Sequence, residues 1–282
     1  MQICGKDFSP SEIDWINTQV KTRPELNRVQ LSRLFCRYVG WLKPDGALKE
    51  MSCRVAMLRL ERNGMIRLPE PRTKTGPLKA VRRTLKGEPR PGISLDVNRA
   101  GLMLRAVDKK DAPLWNELVD RYHYLGYSRM GGAQMRFFVH ADTHLVALLG
   151  FSAAAWRVKS RDGHIGWNET LRKKHLHLVV NNSRFLILPW VQTRNLASGI
   201  LGLAARQLPV FWRKRYSYAP LLLETFIDKE RFRGTCYKAA NWIRVGETRG
   251  RGKWDRLNTC SQPVKTVWLY PLDKHFKERL CR

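Results

Sequence analysis

LLLETFIDKERFRGTCYKAANW, residues 221–242, is the stretch from which the fold class follows. Its first eight residues are mostly apolar and β-favouring, Phe232-Arg233-Gly234 supplies a glycine turn, and Tyr237 to Trp242 reads as a short helix. On a strand the side chains alternate, so Glu224, Phe226 and Asp228 share one face. Two carboxylates on one face, with Cys236 and Tyr237 just beyond the turn, mark the stretch as a candidate site.

Working outward through residues 96–282, Leu102 to Val107 reads as a strand, and Asp111 starts a helix carrying Leu114, Leu118 and Val119. Tyr122-His123-Tyr124-Leu125-Gly126-Tyr127 follows, concentrating three phenols and an imidazole. Gln134 to His140 and His144 to Val158 form a hairpin around Ala141-Asp142-Thr143. Arg184 to Val191 is a strand leading through Gln192-Thr193-Arg194 into an apolar helix, Asn195 to Leu208, and Val264 to Tyr270 is a late strand. The order strand, helix, hairpin, strand, helix, strand, helix, strand predicts an α/β body on a mixed sheet.

Residues 1–69 differ in kind. Ser9-Pro10-Ser11-Glu12 carries a capping box and a proline at the first helical position, followed by Ile13, Ile16 and Val20 at helical spacing. Asn27 and Gln30 open a second helix with Leu31, Leu34, Phe35 and Tyr38 on one face. A third runs from Leu48 to Asn63, with Met51, Val55 and Leu58 expected inward and Lys49, Arg54, Arg59 and Arg62 outward. Three helices and the β-like Met65-Ile66-Arg67-Leu68-Pro69 give a winged helix-turn-helix pattern, in which the third helix enters the major groove and the wing, with Arg67, meets phosphate. Residues 70–95 are a linker. Its core, residues 70–91, holds four prolines, two glycines and seven Lys or Arg, including Arg82 and Arg83, which suits a strap along a phosphate backbone or a solvated tether.

The whole chain carries 52 Lys and Arg against 24 Asp and Glu, a net charge of +28. With ten Trp, eight Tyr and ten Phe interleaved, that charge belongs to folded surfaces, and a polyanion, DNA foremost, is the expected partner. No apolar run is long enough to span a membrane and no signal peptide opens the chain, so a cytoplasmic protein is expected, with no membrane partner. Six scattered cysteines without C-x-x-C spacing read as reduced thiols.

The element order of the body resembles the GNAT acyltransferase fold. There a Q/R-x-x-G-x-G/A turn holds the pyrophosphate of an acyl-CoA on backbone amides. The matching residues here are Arg194, Asn195 and Gly199, with Ala197 in place of the first glycine, and Tyr237 falls where such enzymes place a general acid. Long motifs carry a closer resemblance: NGMIRLP at 63–69, YHYLGY at 122–127, RFLILPWV at 184–191, LETFIDKERFRGTCYKAANW at 223–242 and VGETRGRGKWDR at 245–256. These are similar to the DruA family, also called the DUF4338 domain, known from Druantia anti-phage systems and mobile-element neighbourhoods of bacteria and archaea. The resemblance implies DNA-related work in defence or transposition, alongside partner proteins of such a system.

Three chemistries remain open on the sequence. A DNA-binding protein would use the head together with Arg249, Arg251, Lys253 and the stacking ring of Trp254. A nuclease or transposase would hold Mg²⁺ on Glu224 and Asp228 with His123 as base, helped by His175 or His177, or would attack phosphorus with Tyr124 or Tyr127. An acyl-CoA-dependent modifier of DNA or protein would use Arg194 to Gly199. In the second case the acids could instead pair with Arg231 and Arg233. If YHYLGY closes over the cleft beside residues 221–242, Glu224, Asp228, Tyr237 and His123 converge. A homodimer is compatible with all three.

Overall fold

The structure, a computed structural model, describes residues 1–72, 80–89, 94–250 and 259–282. The chain forms two units, Met1–Lys79 and Ala80–Arg282. No helix among the described residues is long and apolar enough to cross a membrane.

In the first unit a small antiparallel pair, β1 (Gln2–Ile3) and β2 (Lys6–Asp7), precedes α1 (Pro10–Thr22), α2 (Arg28–Tyr38) and α3 (Glu50–Arg62). Both capping boxes form: Ser9 with Glu12, and Asn27 with Gln30, each satisfying amide groups that a helix start leaves without partners. The core is built from Ile16, Leu31, Phe35, Cys53, Met57 and Leu60. The expected inward face of α3 is corrected. Cys53, Ala56, Met57 and Leu60 point in, whereas Met51 and Val55 are 59% and 40% exposed. Both sets keep helical spacing, and contact with Leu31 and Phe35 of α2 decides between them. The expected wing is corrected as well, because residues 65–69 form no strand. They run as extended chain along the helices, with Asn17 donating to the Met65 carbonyl, Arg28 Nε to that of Pro69, and Leu68 N to Glu61.

The second unit is a seven-stranded sheet. Its strands are β3 (Leu102–Ala106), β4 (Gln134–Ala141), β5 (His144–Ala153), β6 (Val179–Ile187), β7 (Leu222–Asp228), β8 (Ile243–Glu247) and β9 (Lys265–Pro271), in the spatial order β3-β4-β5-β6-β7-β9-β8. Every pairing is antiparallel except β6 with β7, as expected of a mixed sheet. The helices are α4 (Ala112–Tyr122), α5 (Lys159–Ile165), α6 (Glu169–His175), α7 (Leu196–Tyr216), α8 (Thr235–Ala239) and α9 (Phe276–Leu280). Neighbouring residues on β6, β7 and β9 enter different cores: Val179, Leu222 and Leu269 pack with Ile165 of α5 and Phe276 of α9, while Val180, Leu223 and Trp268 join α4 and α7.

Several boundaries differ from the sequence reading. The hairpin's second strand ends at Ala153 rather than Val158, and two helices that lack a long apolar repeat, α5 and α6, follow it. Strand β6 begins at Val179 instead of Arg184. Helix α7 passes through Pro209 to Tyr216 because Leu208 and Trp212, both fully buried, hold the turn on either side. Residues 243–247, expected at the start of a basic loop, pair with β9. Residues 80–89 of the expected strap lie on α4, where Glu117 accepts from Thr84 N and Oγ1, Tyr122 donates to the Gly87 carbonyl and Arg83 pairs with Asp120 at 2.7 Å.

Candidate functional site

Strands β6 and β7 pair only at Val179 with Leu222, Val180 with Leu223 and Asn181 with Glu224. Just beyond that point Asn182 on β6, Thr225 on β7 and Tyr237 on α8 meet. Tyr237 donates to Asn182 Oδ1 at 2.8 Å, and Thr225 Oγ1 donates to the Asn182 carbonyl at 3.0 Å. Burial holds the Tyr237 phenol well above its ordinary pKa, so it stays protonated. The turn before α8 places this ring because Gly234 adopts a left-handed φ of 73°, open to glycine without strain.

At the far end of β7 the YHYLGY turn meets the segment that follows Asp228. Tyr124, 39% exposed, stacks on His123 at 4.8 Å and meets Phe232 edge-on at 5.2 Å, with the Arg231 guanidinium 5.4 Å from its ring centre. Arg184 Nε donates to the Gly126 carbonyl and Nη2 to Ser128, which ties the turn to β6. Burial, then the Asp228 carboxylate, raises the Tyr124 phenol. Burial, then Arg184, depresses His123 to about 4, so its imidazole is neutral at pH 7. Asp228 accepts from Glu230 N at 3.1 Å and lies 3.7 Å from Arg231 Nε. Of the acid–arginine pairings anticipated above, that of Asp228 with Arg231 is therefore present.

Glu224 lies elsewhere. It is on the sheet face opposite Thr225 and Tyr237, because adjacent strand residues point apart. There it is fully buried against Arg161 of α5, itself fully buried, at 2.8 Å, while its other oxygen accepts from Ala155 N at 2.8 Å. Burial pushes the Glu224 carboxyl upward and Arg161 opposes that shift. This corrects the shared metal site: four residues along a strand set Glu224 and Asp228 about 13 Å apart, beyond the reach of one ion. Among the described residues no cluster of three or more His, Cys, Asp and Glu side chains is placed to hold a metal. The expected convergence is corrected too, since Tyr124 joins Asp228 and His123 without Glu224.

The ion pair extends into a network that the sequence reading missed. Arg161 Nη1 also donates to the Ala155 carbonyl at 2.7 Å, and Arg161 Nε to Asp162 at 2.9 Å. Asp162 accepts from Val158 N and Trp167 Nε1 and lies 3.6 Å from Arg172. Arg172 is buried and stands 5.6 Å from the ring centre of the exposed Trp156. A charged run broken by tryptophans, AAAWRVKSRDGHIGW at 153–167, was the available signal.

The expected nucleic-acid residues are scattered. Arg59, Arg62 and Arg67 are exposed on the first unit, Lys49 and Arg54 partly so, and Arg82 is exposed. Arg249 lines a hollow of about 450 Å³ with Lys159, Ser160 and His164. Arg251, Lys253 and Trp254 lie outside the described residues. His175 Nδ1 donates to the Leu280 carbonyl at 2.9 Å, and the His177 ring meets the Tyr218 ring edge-on at 5.1 Å. At the start of α7, Arg194 and Asn195 are exposed, but the Asp96 carboxylate is held by Thr193 Oγ1 at 2.9 Å just before them. An acid there opposes a pyrophosphate, and Ala197 adds a side chain where close backbone approach is needed.

A family model described as "Druantia protein DruA" matches residues 59–278. The chain belongs to the DruA family. No curated protein matches it. Among solved structures, this chain is similar to the ribosomal-protein-S18-alanine N-acetyltransferase of Escherichia coli, with 11% identity over 61% of this chain and 94% of that one and a TM-score of 0.38. A GNAT-family acetyltransferase of Streptococcus pneumoniae gives 10% identity, 61% and 99% coverage and 0.39, and the aminoglycoside acetyltransferase AAC(6')-Ib with ribostamycin and coenzyme A gives 11%, 64% and 97%, and 0.41. These neighbours are of the acyltransferase kind that the element order resembled. At such TM-scores the likeness carries no argument about cofactor or substrate.

Proposed function

We propose that this DruA-family chain is a DNA-binding protein of a defence or mobile-element system, acting with other proteins of that system. The observation that carries the reading is the net charge of +28, with exposed cations on both units. Arg59, Arg62 and Arg67 on the first unit, and Arg157, Lys159 and Arg249 on the second, are exposed. Family membership supports the defence-associated role. Each phosphate neutralised steepens the log–log dependence of affinity on salt by about 0.9. Fluorescence anisotropy with a labelled duplex and a labelled single strand, between 50 and 300 mM NaCl, is expected to give a slope of about −4 or steeper. An affinity that ignores salt removes the reading.

A second reading is favoured by the setting of Tyr124. An exposed phenol beside Arg231, with a neutral imidazole next to it, suits attack on a DNA phosphorus. The Tyr124 Oη–P bond forms, the P–O bond to the departing nucleotide breaks, the phenolic proton passes to solvent water, the Arg231 guanidinium offsets the phosphate charge, and the leaving sugar oxygen takes a proton from water. Denaturing electrophoresis after incubation with labelled supercoiled and single-stranded DNA, with and without Mg²⁺, is expected to show a covalent protein–DNA band that Tyr124→Phe abolishes. A band that persists in the variant assigns the chemistry to another residue.

A further inference from the structure

We propose that Trp156 is a base-stacking residue, which takes an unpaired nucleobase on its free face while the cationic hollow lined by Lys159, three residues further along the chain, takes backbone phosphate. The inference deepens the DNA-binding reading and rests on it. Trp156 is 58% exposed, and among the described residues the other tryptophans are buried or half-buried. An exposed apolar ring alone means little, since single apolar side chains are common on protein surfaces. Its setting is what distinguishes this one.

The backbone before the ring is fixed at both polar atoms. Ala155 N donates to Glu224 and the Ala155 carbonyl accepts from Arg161, at 2.8 and 2.7 Å. Two residues beyond the ring, Val158 N donates to Asp162 at 3.1 Å. These three anchors belong to one buried ion network. A buried ion pair is often no more stabilising than well-packed apolar residues of the same volume, so its presence is accounted for by what it positions. Here it positions a four-residue loop that carries the exposed indole of Trp156.

One face of that indole is already occupied. The Arg172 guanidinium, buried and tethered 3.6 Å from Asp162, stands 5.6 Å from the ring centre, within cation–π range. The pairing holds the ring plane in place before a ligand arrives, so a base that stacks on the other face meets a pre-ordered platform. A cationic ligand is disfavoured, because the ring's quadrupole is already engaged by an arginine.

Charge follows the ring along the chain. Arg157 is exposed, and Lys159, three residues from Trp156, is within about 10 Å of it. Lys159 lines the hollow of about 450 Å³ together with Arg249 and His164. Glu247 at its edge is engaged by Lys229 at 3.1 Å and Arg244 at 2.9 Å, which leaves Lys159 and Arg249 without that acid as a competitor for an anion. The Ser160 hydroxyl in the same wall is buried with no hydrogen-bond partner. A stacking ring followed along the chain by exposed cations suits single-stranded DNA better than an intact duplex, whose bases are covered.

The test uses the full chain, a fluorescein-labelled 20-nucleotide single strand, the matching duplex, and the same strand carrying tetrahydrofuran abasic sites. Trp156→Ala is expected to weaken single-strand binding about tenfold and duplex binding less than twofold, with its melting temperature within a degree or two of the parent. Trp156→Phe is expected to keep most of the affinity. On the abasic strand the parent and the alanine variant are expected to bind alike, and Lys159→Gln is expected to lower the salt slope by about one. Equal single-strand affinity for the parent and Trp156→Ala overturns the proposal and leaves DNA binding standing. An equal loss on intact and abasic strands also overturns it. A parent protein that binds none of the three DNAs removes the broader reading and the stacking role with it.

Discussion

Glu224 shows how far a residue's chemistry depends on its partner. On the sequence it is a carboxylate two positions from a phenylalanine and four from another acid; in the fold it is fully buried against Arg161, 63 residues away. Removing one member of such a pair leaves the other charged and unsolvated. Glu224→Gln is expected to destabilise the protein by about 3 kcal/mol in urea unfolding. The double variant Glu224→Gln, Arg161→Met is expected to lose less than the sum of the two single losses, because the members act together. Additive losses would show that the pair is not the unit. Tyr124 gives the complementary case: its motif was visible in the sequence, but its neighbours Phe232, Arg231 and Asp228 come from a segment a hundred residues later.

Among the elements, those set by local rules were the most legible. Helices α1 and α2 start where their capping boxes stand, and β7 lies where the alternating run of residues 221–228 put it, because caps and alternation need only residues a few positions apart. Helix α3 was found but rotated, since two stripes at the same spacing compete and only packing against α2 separates them. The wing did not form, and α5, α6 and β8 were missed because each is short and its apolar residues alone show no period. The turn between β7 and α8 gives a test. A Cβ on Gly234 would lie 2.8 Å from Trp268 Cζ2, and its φ of 73° is strained for alanine. Gly234→Ala is therefore expected to cost about 2 kcal/mol and to shift the near-ultraviolet signal of the Tyr237 and Trp268 rings. A variant as stable as the parent would show that this turn does not fix α8.

For the whole molecule, charge is the dominant fact. A net +28 repels itself, and salt screens that repulsion over about 10 Å at 0.1 M and about 30 Å at 0.01 M. The melting temperature is accordingly expected to rise by several degrees between 10 and 200 mM NaCl, and to rise at low salt when a short DNA is added. A melting temperature that falls with salt would mean that attractive ion pairs such as Arg83–Asp120 and Arg279–Asp273 outweigh the excess cations.

The residues alone announced a polyanion-binding α/β protein with a helical head, the strand, turn and helix of 221–242, and the DruA motifs. Each of these is written in composition or in short-range order. Which acid meets which base was decided by the fold: Glu224 went to Arg161 on one face of the sheet, Asp228 to Arg231 and Tyr124 at the strand's end, and Tyr237 to Asn182 on the other face. The physical reason is that alternation fixes which side chains share a face, while burial and pairing depend on segments that are distant in the chain and adjacent only after packing. The stretch from Leu221 to Trp242 is thus one element in sequence and three separate environments in space.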